Sequence, residues 1–193
     1  RKPRLPCLVG NIMALLLGIE CGGTHTTVAL DSLSASGSAG AAATPVLSFQ
    51  LGPGNFRLTS AQGFAALFTE AFDRIDDEHA PAAIGLAVAG ARHASQHTEL
   101  EAMLRAALAA MGGWRCASAA TIPVRVSHDL ESAALASGPL APTAVRLVCI
   151  AGTGSCCYGR RGASLGGGEA RGGGWGHLLG DEGSGFMLGS GLS

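Results

Sequence analysis

The segment Arg171-Gly-Gly-Gly-Trp-Gly-His-Leu-Leu-Gly-Asp-Glu-Gly-Ser-Gly185 packs seven glycines, one tryptophan and two adjacent carboxylates into fifteen residues. Two glycine–threonine turns lie upstream, Glu20-Cys-Gly-Gly-Thr24 and Gly152-Thr-Gly-Ser155. Glycine loses more backbone entropy on folding than any other residue, so such clusters mark places where main chain comes close to another group. Main-chain N–H groups presented this way can grip phosphates and a polar small molecule.

Each element of this set has a chemical reading and a structural one. Glu20, at the end of a strand, can hold a hydrated Mg²⁺, while Gly22, Gly23 and Thr24 offer N–H and hydroxyl groups to a phosphate. The same residues also suit a tight hairpin with a surface glutamate. Gly152, Thr153, Gly154 and Ser155 repeat the pattern after an apolar strand. Two such turns facing each other would clamp a triphosphate; alone, each is a simple β-turn. Neither is a P-loop, because no G-x-x-x-x-G-K-[ST] occurs in the chain. Asp129 follows a strand and opens a helix. It can accept a proton from a substrate hydroxyl, or cap the helix. Asp181 and Glu182 can accept bonds from sugar hydroxyls beside an apolar wall at Trp175, or cap the last helix. Both roles are compatible. His79, His93 and His97 sit in polar contexts; His128 and His177 can orient a ligand, but neither stands at metal-ligand spacing from another histidine.

Hydrophobic patterning supplies the elements that must position these groups. Residues 14–19, 26–31, 46–51, 83–89, 122–126 and 145–150 read as strands, and the turn 152–155 leads into a partner strand. Residues 60–77, 98–111, 130–136 and 182–190 read as helices, with Ser60 as an N-cap and Gly112-Gly113 as a stop. This order predicts a three-layer α/β domain over 13–138, then the beginning of a second domain over 143–193, joined through Gly138, Pro139 and Pro142. Residues 1–12 read as an extension before Met13. The apolar run 14–19 reads as a buried first strand rather than a secretory signal, because no small-x-small cleavage site follows.

With 47% hydrophobic and 14% charged residues among 193, the chain can build a core. A net charge of −1 provides no field for nucleic acid or an acidic membrane. The six cysteines match no zinc spacing and read as reduced thiols of a cytoplasmic protein, with adjacent Cys156 and Cys157 on opposite faces of a strand.

Taken in order, Gly18-Ile-Glu-Cys-Gly-Gly-Thr24, Gly85-Leu-Ala-Val-Ala-Gly-Ala91, His128-Asp129, Ala151-Gly-Thr-Gly-Ser155 and Gly173-Gly-Trp-Gly-His-Leu-Leu-Gly-Asp-Glu-Gly-Ser184 resemble the N-acetylglucosamine kinases. More broadly the chain is similar to the BadF/BadG/BcrA/BcrD-type ATPase family of the actin/hexokinase/Hsp70 superfamily. The last motif is the specific one; the glycine turns are common to the superfamily. The resemblance implies RNase H-like (actin-like ATPase) domains, each a mixed sheet flanked by helices. It implies ATP and Mg²⁺, with γ-phosphoryl transfer to the 6-hydroxyl of an amino sugar. Carried over by motif, Glu20 (the metal contact, through water), Gly22, Gly23, Thr24 and His25 form the first phosphate turn, and Gly152, Thr153, Gly154 and Ser155 the second. Asp129 becomes the base on the sugar hydroxyl. Asn55 holds the sugar, with Gly174, Trp175 and Asp181 around it.

Several positions depart from the family pattern. Glu20 replaces the usual Asp, Cys21 replaces a glycine, and His25 stands where Lys, Arg or Ser is common. Cys156 takes a position where some amino-sugar kinases carry Asn, which leaves the sugar open. The family's adenosine-binding segment would follow Ser193, so this chain alone is expected to be inactive. Homodimerisation is an expectation for the longer protein. Two other readings stand beside the kinase: an ATPase activating a radical dehydratase, and a catalytically inactive sugar-binding protein.

Overall fold

The computed structural model describes residues 14–33, 45–138, 141, 144–162 and 168–191. The extension 1–12, the Ser/Ala/Gly stretch from 34 on, and most of the joint at 139–143 lie outside the described residues.

Alternation builds the first sheet. In β1 (Ala14–Cys21), Leu17, Ile19 and Cys21 are buried while Leu16, Gly18 and Glu20 face the other way. β2 (Thr26–Leu33) runs antiparallel to β1, and β3 (Leu47–Leu51) antiparallel to β2. β4 (Ala83–Val88) and β5 (Val124–Ser127) add in parallel, giving the order β3-β2-β1-β4-β5. One face of this sheet shares a core with α1 (Ala61–Asp73) and α2 (Ala94–Ala109). α1 contributes Phe64, Leu67, Phe68, Ala71 and Phe72, a helical stripe. Removing one of these fully buried phenylalanines would cost about 3–5 kcal/mol. α2 contributes Leu100, Leu104, Ala107 and Leu108.

The opposite face of the sheet is different in character. Ala29, Gly18 and Gly85 lie in register across three strands and line a cavity of about 350 Å³ with Glu20, Arg125 and Leu135.

α4 (Asp129–Ala136) leads to a second, antiparallel sheet, β6 (Val145–Ala151), β7 (Ser155–Arg161) and β8 (Glu169–Gly173). Leu130 and Ala134 of α4 pack against Val148, Ile150, Cys156 and Tyr158. Glu131 pairs with Arg125 of the first sheet at 3.0 Å and lies 3.8 Å from Arg160 of the second. α4 is therefore the strut between the sheets. α5 (Gly185–Ser190) closes the described chain.

Some elements differ from the sequence expectation. α1 stops at Asp73, and Arg115 binds the carbonyl oxygens of Phe72 (2.9 Å) and Ile75 beyond it. α2 starts at Ala94 rather than 98, because Gln96 Oε1 accepts from the backbone N–H groups of Arg92 (2.7 Å) and His93 (2.9 Å). The fifth strand begins at Val124, two residues later than its apolar run. A short helix, α3 (Trp114–Ser118), and the strand β8 appear where none was expected. β8 is almost wholly exposed and has no apolar alternation, so its backbone ladder to β7 alone makes it a strand. No described helix is long and apolar enough to cross a membrane.

Candidate active site

The parallel strands β1, β4 and β5 end together at Cys21, Val88 and Ser127. β3 runs in the same direction as β1 and ends at Leu51, opposite Thr26. The loops 22–25, 52–56, 89–93 and the His128–Asp129 step therefore emerge at one edge, outside the carboxyl ends of strands where α/β folds bind ligands. Backbone bonds knit them together. Gly54 N donates to Gly22 O (3.0 Å), Ala89 N to Cys21 O (2.9 Å) and Phe56 N to Ala89 O (2.9 Å). The first turn closes on itself through Gly22 N to His25 O (2.9 Å), with Thr24 Oγ1 3.1 Å from His25 Nδ1.

Cys21 does not crowd this turn. Its thiol points into the core, where burial pushes its pKa up to about 12. Glu20 points the other way, onto the open sheet face beside Ser127 and Arg125. Asn55 Oδ1 accepts from Arg57 N (2.9 Å), and its carbonyl oxygen accepts from Leu58 N and Thr59 N. Gly90 has φ +83°, and a Cβ there would stand 2.9 Å from Asn55 Oδ1. Only glycine suits that position.

The second turn closes through Gly152 N to Gly154 O (2.9 Å). The acidic loop straps it down. Asp181 Oδ1 accepts from Ser155 N (3.3 Å), Ser155 Oγ donates to Glu182 O (2.8 Å), and Gly185 N donates to Gly152 O (2.8 Å). Asp181 itself sits at φ +65°. The last helix is capped by buried Ser184, which accepts from Met187 N (3.2 Å), and not by Asp181. The capping reading of Asp181 is thereby corrected: its backbone is in the left-handed region and its carboxylate is on the turn.

Asp129 is not a cap either. His128 Nδ1 accepts from Glu131 N (3.1 Å) and caps α4, leaving Asp129 as its first residue with Oδ1 accepting from Leu130 N (2.9 Å). Burial lowers the His128 pKa, which keeps Nδ1 free to accept. The ring also meets Tyr158 edge-on at 5.1 Å.

One side chain, unforeseen in the sequence, joins the two halves. Arg92 Nη2 donates to Gly174 O at 2.8 Å. Its pKa is lowered by burial first, then by Arg171 and Arg57, while Cys156 and Asp129 act in the opposite sense. Arg92 therefore lies among the first loops, the glycine-rich loop and Asp129 at once. Its Nε is buried without a hydrogen-bond partner. A cation directly after Gly90-Ala91 at a strand end was the available signal. Among the described residues no hydrogen bond joins the first turn to the second. Trp175 is 72% exposed and touches Gly180, so the structure shows it as an open wall. No described cluster of three or more His, Cys, Asp or Glu could hold a metal through protein ligands alone.

Two solved structures share this architecture. A protein assigned as an N-acetylglucosamine kinase from Chromobacterium violaceum superposes with a TM-score of 0.57 at 20% identity, over 92% of this chain and 55% of that one. An inorganic polyphosphate/ATP-glucomannokinase from Arthrobacter sp. strain KM gives a TM-score of 0.51 at 19% identity, over 80% of this chain and 61% of that one. The likeness is one of fold, a mixed sheet flanked by helices consistent with the RNase H-like fold. A curated N-acetylmuramic acid/N-acetylglucosamine kinase from Clostridium acetobutylicum is 56% identical over 43 residues, 22% of this chain and 13% of that protein. No family model matches the chain. The chain spans less than two thirds of the length of each of these relatives.

Proposed function

We propose that this chain forms part of an ATP-dependent kinase acting on the 6-hydroxyl of an N-acetylglucosamine-like amino sugar. The observation that carries the reading is Arg92, which binds Gly174 O while lying within electrostatic reach of Asp129. That contact ties the loops at the strand ends to the glycine-rich loop, around a carboxylate poised to act as a base.

The roles follow from position. Asn55, beside Gly90, and Gly174, bonded to Arg92, hold the sugar, with Trp175 as an apolar wall. Asp129 accepts the proton of the hydroxyl as it attacks. Gly22, Gly23, Thr24 and His25 offer one set of donors to the nucleotide phosphates, and Gly152, Thr153, Gly154 and Ser155 a second. Asp181 serves the sugar and also steadies the second turn through Ser155 N. Phosphoryl transfer needs positioning and charge neutralisation more than covalent help. Arg92, with Arg57 and Arg171 nearby, supplies positive charge where negative charge gathers. Glu20 is a lone carboxylate at the strand edge, and that donor chemistry fits a Mg²⁺ that keeps most of its water. Mg²⁺ would neutralise phosphate charge there. We assign residues 13–138 to the first RNase H-like domain and 143–193 to the beginning of the second, with activity residing in a longer, cytoplasmic and homodimeric protein. Cys156 and Cys157 face opposite sides of β7, an arrangement that disfavours joint ligation of a cluster by an activator ATPase.

Asp129→Asn in the longer protein tests the reading. A coupled ADP-release assay with N-acetylglucosamine should show turnover reduced about 10²–10⁴-fold, the usual worth of a positioned base. Sugar affinity by calorimetry should change little. Turnover within threefold of the unsubstituted protein would remove Asp129 from the chemistry.

A further inference from the structure

Cys149 of β6 and Cys157 of β7 lie directly opposite each other, with their Sγ atoms 3.1 Å apart. Two backbone bonds at either end of the hairpin fix the kind of pair they form. Gly152 N donates to Gly154 O at the tip, and Gly162 N to Ala144 O at the base. Hydrogen-bonded pairs alternate along an antiparallel ladder. Counting by twos from either end makes Ile150–Cys156 and Val148–Tyr158 hydrogen-bonded pairs and leaves Cys149–Cys157 between them as a non-hydrogen-bonded pair. At such positions the Cα atoms approach to about 4.5 Å. That falls inside the range of about 4.4–6.8 Å that a disulfide spans.

Both thiols are exposed, on the face of the hairpin turned away from α4. The β8 residue opposite Cys157 is Gly172, which has no side chain to shield it. Cys156, by contrast, faces α4 and lies 3.4 Å from Gly172 O. Cys21 is buried in the core. The sheet has already brought one particular pair of thiols together, so the entropy of closing the ring is met by the fold itself.

We propose that Cys149 and Cys157 form a reversible cross-strand disulfide, made by exchange with a low-molecular-weight disulfide, that locks the hairpin carrying the Gly152–Ser155 turn. One protein thiolate attacks a sulfur of the small disulfide and releases one small thiol. The partner thiolate then attacks the protein sulfur of the mixed disulfide and displaces the second small thiol. The protein loses two hydrogens and two electrons, and the small disulfide gains them as two thiols. The Cys157 thiol is held above its usual range, chiefly by its hydrogen bond with Cys149. The bond depends only on hairpin geometry, so it and the kinase assignment fail separately.

The test exposes this chain to oxidised glutathione, raised until Cys116 carries a mixed disulfide, then alkylates all remaining thiols. Trypsin cleavage after Arg146 and Arg160 leaves the three hairpin cysteines in one peptide, 147–160. Mass spectrometry should show one alkyl group, on Cys156, and a further loss of two hydrogens. Fragment ions should be missing between positions 149 and 157, and a dithiol reductant added before alkylation should restore three alkylatable thiols. Cys156→Ser should keep the bond, whereas Cys149→Ser and Cys157→Ser should each end as glutathione adducts. Three alkylated thiols in the oxidised wild-type peptide, or a bond that includes Cys156, would overturn the proposal. The wild-type fragment map decides the matter even where a substituted chain does not fold.

Discussion

Gly90→Ala is the sharpest perturbation of the loop edge, because its cost can be worked from two independent features. At φ +83° an alanine carries the left-handed penalty of roughly 1–2 kcal/mol. The new Cβ would also stand 2.9 Å from Asn55 Oδ1. Asn55 must move, and the bond it accepts from Arg57 N (2.9 Å) is lost, at about 0.5–1.5 kcal/mol. Together these predict a loss of about 2–3 kcal/mol in urea unfolding followed by circular dichroism. The two terms separate in a double-mutant cycle. Asn55→Ala removes the obstacle, so Gly90→Ala in that background should cost only the backbone term, and the pair should couple by about 1 kcal/mol. Under the proposed function, Gly90→Ala should also weaken sugar binding, since Asn55 is displaced. A single-mutant loss below about 0.5 kcal/mol, or strict additivity in the cycle, would refute the reasoning.

Two further outcomes follow from the caps. Ser184→Ala removes the acceptor of Met187 N from a buried N-cap and should destabilise the chain by about 0.5–2 kcal/mol in urea. Because the strap holds Gly152, the same change should raise hydrogen exchange at Gly152–Ser155. Asp181→Ala, which does not cap, should leave the α5 amides unaltered while loosening the Ser155 amide. The second outcome concerns pH. Burial depresses the His128 pKa below 6.5, so the unfolded chain binds the extra proton first as pH falls. Stability from this group is present above about pH 6.5 and is lost progressively below it, down through the folded-state value. His128→Asn keeps a capping acceptor without the titration, and urea midpoints between pH 7 and pH 5 should fall less for that variant. Equal slopes for the two proteins would show that His128 is not the titrating group.

What could be read from the sequence was local. The apolar run 14–19 announced a strand, and the Phe64–Phe68–Phe72 stripe a helix, because side chains three to four apart turn to one face. The glycine turns at 22–24 and 152–155 and the 60-cap of α1 were equally plain. β8 was invisible, since an exposed Glu-Ala-Arg-Gly-Gly run becomes a strand only through the ladder it makes with β7. The caps were misplaced for a related reason. Asp129 and Asp181 are good cap residues, yet His128 and Ser184 take those positions, and which candidate caps depends on backbone dihedrals imposed by packing.

The sequence by itself determined which residues carry donors, acceptors and bare backbone, and that they fall at strand ends. Tertiary structure alone decided which of them meet. Arg92 and Gly174 are 82 positions apart, and no periodicity records their bond. Cys21 reads as an obstruction in a glycine turn and is harmless because β1 turns it into the core while Glu20 faces out. Spacing encodes the face of an element, which is set within a few residues. Contact between elements depends on strand order and on α4 bracing one sheet against the other, and those are settled by the burial of the whole chain.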